Sequence, residues 1–160
     1  MKPVPKLATT AKKLSRLRRL SQILDNAIPI PGTKQRIGID PIIGMLPGGG
    51  DLVTGALGAY IILESARMGV ERQIIGKMIG NILLDAIAGT VPVVGDFFDM
   101  GWKANVKNIA LLEKHIQINP DSNKPNWLFL IGLTILLVAI VIGFAALTVL
   151  ILRWLWQAIQ

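Results

Sequence analysis

The spacing of apolar residues changes several times along the chain, and each change marks an element. Between residues 7 and 24, Leu14, Leu17, Leu20 and Leu24 recur at helical spacing, with Lys13, Arg16 and Arg19 flanking them. That pattern predicts a basic amphipathic helix. It suits either a membrane surface or a helix that packs its leucines on its own protein and leaves its charges in water. Residues 28–38, with two prolines and two glycines, read as a loop. Leu52–Met68 is an apolar helix carrying Gly55, Gly58 and Ala59, with Arg67 in its last turn and Gly69 ending it. Glu71–Ala88 is a second, in which Gly76 and Gly80 form a small-xxx-small pattern that lets helix backbones approach closely. Phe97–Gln117 is amphipathic. Phe98, Trp102, Asn105, Ile109, Leu112 and Ile116 share one face, and Lys103, Lys107 and Lys114 lie away from its centre. A polar linker around Asn119–Asn123 follows. Trp127–Leu152 then runs without an ionisable side chain for about 26 residues, roughly 39 Å of helix. A bilayer core needs only about 20 residues. Trp127 at one end and Arg153, Trp154 and Trp156 at the other have the character of interfacial anchors.

Two stretches share one punctuation. Asp40 to Asp51 (DPIIGMLPGGGD) and Asp85 to Asp96 (DAIAGTVPVVGD) both fit D-x3-G-x2-P-x2-G-D, 45 residues apart. The matched turn positions are Gly44, Pro47 and Gly50 in the first copy, and Gly89, Pro92 and Gly95 in the second. Five coincident positions in register mark an internal duplication or a repeated structural device. The prolines stop one helical segment and the glycines permit tight backbone. Asp51 and Asp96 can then cap the next helix, while Asp40 precedes Pro41 as a cap precedes a first-turn proline. Asp85 differs, because its surroundings are helical and apolar.

Composition sharpens this. The chain has 160 residues, 52% hydrophobic and only 17% charged, where a soluble domain of this size carries about a quarter. Residues 1–36 hold nine Lys or Arg (Lys2, Lys6, Lys12, Lys13, Arg16, Arg18, Arg19, Lys34 and Arg36) against one acid, Asp25. The excess positive charge thus belongs to the arm, which seeks an acidic surface. Lys12, Lys13, Arg16, Arg18 and Arg19 are the candidates for anionic lipid. The arm lacks aromatics to stack bases, which disfavours nucleic acid. No apolar stretch follows it as in a secretory signal, although its first 24 residues lack acids, as in organelle transit peptides. Without cysteines there are no disulfides, thiolate chemistry or thiolate-bound metals.

These readings predict an all-α membrane protein with a compact helical domain, two repeated helix–Pro/Gly turn–helix units and a C-terminal transmembrane helix. The divisions are a basic arm (1–36), a glycine-rich duplicated domain membrane-embedded or membrane-associated (37–118), a linker (119–126), the span (127–152) and a short tail (153–160). Four Lys precede the span (Lys103, Lys107, Lys114 and Lys124) and only Arg153 follows it, which places the bulk of the chain on the cytoplasmic or equivalent side.

Chemistry is sparse. His115, the one histidine, stands near a helix end, where it favours the helix dipole. Gly48-Gly49-Gly50-Asp51 lacks the Lys and Ser/Thr of a phosphate loop. Asp51, Asp96 and Asp99 could form a hard-cation site if the repeats meet, but helix caps account for the motif aspartates more simply. No motif calls for a cofactor, a metal or an enzymatic activity.

An ordered set of positions adds one resemblance. Leu24-Asp25, Ile30-Pro31-Gly32, Gly38-Ile39-Asp40-Pro41, Gly44, Pro47 and Gly50-Asp51 resemble a family known as domain of unknown function 4112. So do Met78, Asn81, Asp85, Gly89, Pro92, Gly95-Asp96, Asp99, Trp102-Lys103-Ala104-Asn105, Asn108 and Leu111-Leu112-Glu113. The similarity covers about residues 14–117 and leaves the C-terminal helix outside. It implies small, apolar, membrane-associated helical proteins, and carries no catalytic residues.

The function expected is therefore non-enzymatic: a small accessory or structural subunit docked on a larger membrane assembly. The alternative is a homo-oligomeric ion or proton pathway lined by motif aspartates such as Asp40 and Asp85. A membrane tether for an acidic partner or nucleic acid is third.

Overall fold

A computed structural model describes residues 5–29, 31–32, 36–39, 50–89, 103–118 and 126–159. These residues form five helices and one minimal strand pair: α1 (Pro5–Asn26), β1 (Ile28–Pro29), β2 (Arg36–Ile37), α2 (Gly50–Arg67), α3 (Arg72–Gly89), α4 (Ala104–Ile118) and α5 (Trp127–Ile159). The segment read as a plain loop is an antiparallel pairing, Ile28 opposite Ile37 and Pro29 opposite Arg36. Gly32 (φ 80°) lies between the two strands. The segment read as a short tail continues α5 to Ile159.

The helices stop where their residues dictate. At the end of α2, Gly69 takes φ 87°, a conformation costly for residues with a Cβ. Its N–H donates to the Ala66 carbonyl (3.0 Å) and that of Val70 to the Ser65 carbonyl (3.3 Å). That is the paired bonding of a Schellman ending, with Val70 buried behind it. The Glu71 carbonyl then accepts the N–H groups of Ile74 and Ile75 and starts α3 (both 3.0 Å), closing an α2–α3 hairpin. Asn126 starts α5, its Oδ1 accepting the Leu128 N–H (2.9 Å), as an N-cap does.

The core joins all five helices: Leu17 and Leu24 of α1, Ile61 and Ile62 of α2, Ile75 and Met78 of α3, Ile109 and Leu112 of α4, and Leu133 and Leu137 of α5. Of the two surroundings open to the leucine face of α1, the one realised is the protein's own interior. Ser65, fully buried in α2, satisfies its hydroxyl on the Ile61 carbonyl (2.8 Å).

Glycines allow three close approaches. At Gly55 a Cβ would stand 3.4 Å from Val141 of α5, and at Gly58 it would stand 3.0 Å from Ile82 of α3. At Gly38 it would fall 1.3 Å from the Leu24 carbonyl oxygen. At Gly76 and Gly80 a Cβ would instead meet nothing within 4 Å among the described residues of the rest of the chain. The close approach expected of them is made within this chain by Gly55 and Gly58.

This contrast is testable by denaturation of the purified protein. Gly38→Ala should destabilise by at least the roughly 1–3 kcal/mol typical of overpacking, since backbone must move. Gly76→Ala should gain up to about 1 kcal/mol of helix propensity. Equal effects would show that the Gly38 contact is not made.

Candidate functional site

The densest polar grouping joins the end of α1 to the start of α4. The first N–H groups of any helix lack partners within it, and α4 obtains one from the other end of the domain. Asp25 Oδ2 accepts the Val106 N–H (2.7 Å) and Oδ1 accepts Asn105 Nδ2 (2.8 Å). The carboxylate thus caps α4 from a neighbouring helix and stands at the positive end of its dipole. Lys103 Nζ bridges to Asn26 Oδ1 and to the Arg36 carbonyl (2.9 Å). Arg36 in turn donates from Nε to the Asn26 carbonyl (2.9 Å), and Ile39 N–H donates to the Ile23 carbonyl (3.2 Å). The open carbonyls at the end of α1 thereby find donors.

One turn further along α4, Asn108 is fully buried; its Nδ2 donates to the Met78 carbonyl (3.1 Å) and its Oδ1 accepts Asn81 Nδ2 (2.8 Å). Asn105 is buried against Gly58, and among the described residues its Oδ1 has no hydrogen-bond partner. Together these residues form a polar seam through the bundle that joins α1, α3 and α4.

Burial pushes the Asp25 carboxyl above its ordinary value, against the opposing pull of the Asn105 and Val106 hydrogen bonds and the Lys103 charge. The folded protein therefore holds this proton more tightly than the unfolded chain does. Its contribution to stability is present below the ordinary value of 3.8 and declines as pH rises through the raised one.

The other residues singled out by sequence are dispersed. Asp40, Gly44, Pro47, Pro92, Gly95, Asp96 and Asp99 lie outside the described residues, as do Phe98 and Trp102 of the expected α4 face. α2 is already helical at Gly50, so Asp51 falls in its first turn and not one residue before it. Gly89 is the last residue of α3, and Asp85 is half-buried just before that end. Among the described residues, no group of three or more His, Asp or Glu is placed to hold a metal. His115 lies in the last turn of α4, as its sequence position indicated, and is buried there; among the described residues its Nε2 has no hydrogen-bond partner. Its position is set by which face of α4 meets the core.

The cations of α1 divide. Arg18 grips Glu113 of α4 through Nη2 and Nε (2.6 and 2.7 Å), and Lys13 lies 3.6 Å from Glu64 of α2, which also binds Arg67 (2.6 Å). Lys12, Arg16 and Arg19 are exposed. On α5, Trp127, Arg153, Trp154 and Trp156 are all exposed, while Arg72 of α3 stacks on Phe129, 5.0 Å from the ring centre.

Residues 13–116 match the family described as domain of unknown function (DUF4112). The chain belongs to that family. The matched region runs from α1 to α4 and contains the whole polar seam; α5 lies beyond it. No curated protein and no solved structure matches the chain.

Sequence alone pointed to the motif aspartates and passed over Asp25 as a site. A signal existed: it is the only acid in a basic arm, placed at the C-terminal end of a helix, where the dipole opposes it.

Asp25→Ala should cost about 1–3 kcal/mol, the usual penalty for a buried donor left unpaired. Asp25→Asn, which keeps an acceptor, should cost less. Denaturation across the acidic range should show the stability advantage of the native chain over Asp25→Asn shrinking as pH rises from 3.8 upward. A gap that widens with rising pH would mean that the folded protein holds the Asp25 proton less tightly than the unfolded chain.

Proposed function

We propose that this protein is a non-enzymatic integral membrane protein, held by α5 and acting as a small accessory or structural subunit of a larger membrane assembly. The observation that carries the reading is the surface of α5. Its stretch Trp127–Ile151 is long and apolar enough to cross a membrane, yet only Leu133 and Leu137 along it are buried. Water is a poor medium for so much uncovered apolar surface, and a bilayer is a natural one.

Docking on a partner is supported by α3. Gly76 and Gly80 lie one turn apart on its outer side with open space before them, and small residues are what membrane helices use to pack closely. The helical domain holds Lys103, Lys107 and Lys114 before the span against Arg153 after it, which favours the cytoplasmic or equivalent side. Lys12, Arg16 and Arg19 stand outside the ion pairs formed among the described residues and are placed to attract anionic lipid.

Native mass determination after gentle detergent extraction tests this. The chain should run in a complex with a different protein, and Gly80→Leu should release it while leaving the domain folded, because a Cβ at that position meets nothing within 4 Å among the described residues. A homo-oligomer carrying ion flux would replace this reading with that of a pathway; a monomer would remove both.

A protease-protection assay on sealed membranes should leave residues 1–120 open to digestion from the cytoplasmic side alone. Digestion from the opposite side would invert the topology.

A further inference from the structure

α1 has two contrasting faces. Leu14, Leu17, Ser21 and Leu24, spaced by three and four, turn toward the core. Lys12, Arg16, Arg19 and Ile23 repeat that spacing on the opposite face, and all four are exposed. Between the faces, Lys13 and Arg18 are held to Glu64 of α2 and Glu113 of α4. Both acids are thereby engaged, and Lys12, Arg16 and Arg19 have no ion-pair partner among the described residues. The row left over is three like charges within about 10 Å, which repel one another.

The direction of α1 limits what can lie along that row. Lys13 meets Glu64 near the end of α2, whereas Asp25 meets Asn105, which abuts Gly58 earlier in α2. α1 and α2 therefore run in opposite senses. So do α2 and α5, because Gly55 meets Val141 while Arg72, just past the end of α2, meets Phe129. α1 thus runs in the same sense as α5 and not across it. A leaflet crossed by α5 meets such a row end on, so whatever covers all three cations stands beside α1. A second copy of the chain is a poor match. It brings the same net charge of +7, its Glu64 and Glu113 are engaged in the same way, and its Asp25 caps α4.

We propose that the outer row of α1 docks an acidic helix of a neighbouring membrane-protein subunit, whose Asp or Glu side chains face Lys12, Arg16 and Arg19. The proposal rests on the accessory-subunit reading and deepens it by naming the charged face that holds the partner. Carboxylates three and four residues apart on one helix match the spacing of the row. Each arginine can grip a carboxylate in a fork of two hydrogen bonds. Ile23, 43% exposed, offers the docked helix an apolar contact at the end of the row. Complementary charge of this kind selects the partner and fixes its register more than it adds affinity.

The photo-crosslinking residue benzoylphenylalanine, placed in the full chain at Ser15 or Gln22, lies beside the row on exposed positions and removes no cation. Irradiation of native membranes should join both positions to one protein, at a peptide bearing Asp or Glu at helical spacing. Lys12→Glu, Arg16→Glu and Arg19→Glu together should reduce that product at least about tenfold, the worth of three exposed ion pairs. Changing the mapped acids to Lys should restore it. The three changes to Gln, which leave the core face of α1 untouched, should weaken it as well. A product insensitive to charge reversal would overturn the proposal, and so would attachment to lipid alone, since anionic lipid would then occupy the row. No product from either position, with native mass determination still finding the chain in its complex, would overturn this docking face and leave the accessory-subunit reading standing. A monomer in native mass determination would remove both.

Discussion

α2 has to touch α1, α3, α4 and α5 at once, and the fold is arranged around that requirement. A helix with so many neighbours cannot be lined with large side chains on every side, because the axes would be forced apart. Its residues follow suit. Gly55 faces α5, Gly58 faces α3 and α4, and Ser65 and Ala66 are fully or almost fully buried. Ile61 and Ile62 fill the space that remains. Near its C-terminal end Glu64 gathers Lys13 and Arg67, while apolar contacts run along its length.

α5 is consequently both an outer helix and a contributor to the core. Leu133 and Leu137 complete the cluster formed by α1 to α4, although the family match ends before α5 begins. Among the described residues, Val141 near the middle of α5 still meets Gly55 of the domain, and many side chains beyond it are exposed. One helix thus serves two surroundings, packing Leu133 and Leu137 into the core while most of its other described side chains are exposed.

Much of the helical framework was legible in the sequence because its signals are local. Gly69 after Arg67 marks the end of α2, and the polar run before Trp127 marks the start of α5. The spacing of Asn105, Ile109 and Leu112 identifies the buried face of α4. What the sequence withheld concerns partners far away in the chain. Gly55 and Gly76 look alike as letters, and only the fold decides which one meets a neighbour. The leucines of α1 suit a bilayer surface as well as a protein interior, since hydrophobic spacing identifies a face and not its cover. Gly38 is obligatory because of a carbonyl on another element, and no local pattern announces that. The pattern shared by residues 40–51 and 85–96 is the clearest motif in the sequence, yet Pro47 and Pro92 fall outside the described residues.

The capping of α4 by Asp25 joins positions 80 and 81 residues apart. Closing so long a loop carries an entropic penalty that local helix formation alone does not repay. α4, with 15 residues, is too short to hold its shape in isolation. Its first turn therefore becomes secure only when α1 is already in position, which couples the two ends of the domain into one cooperative unit. In hydrogen-exchange terms, the Val106 amide should fall in the slowest, globally protected class despite its place at a helix start, where amides ordinarily fray.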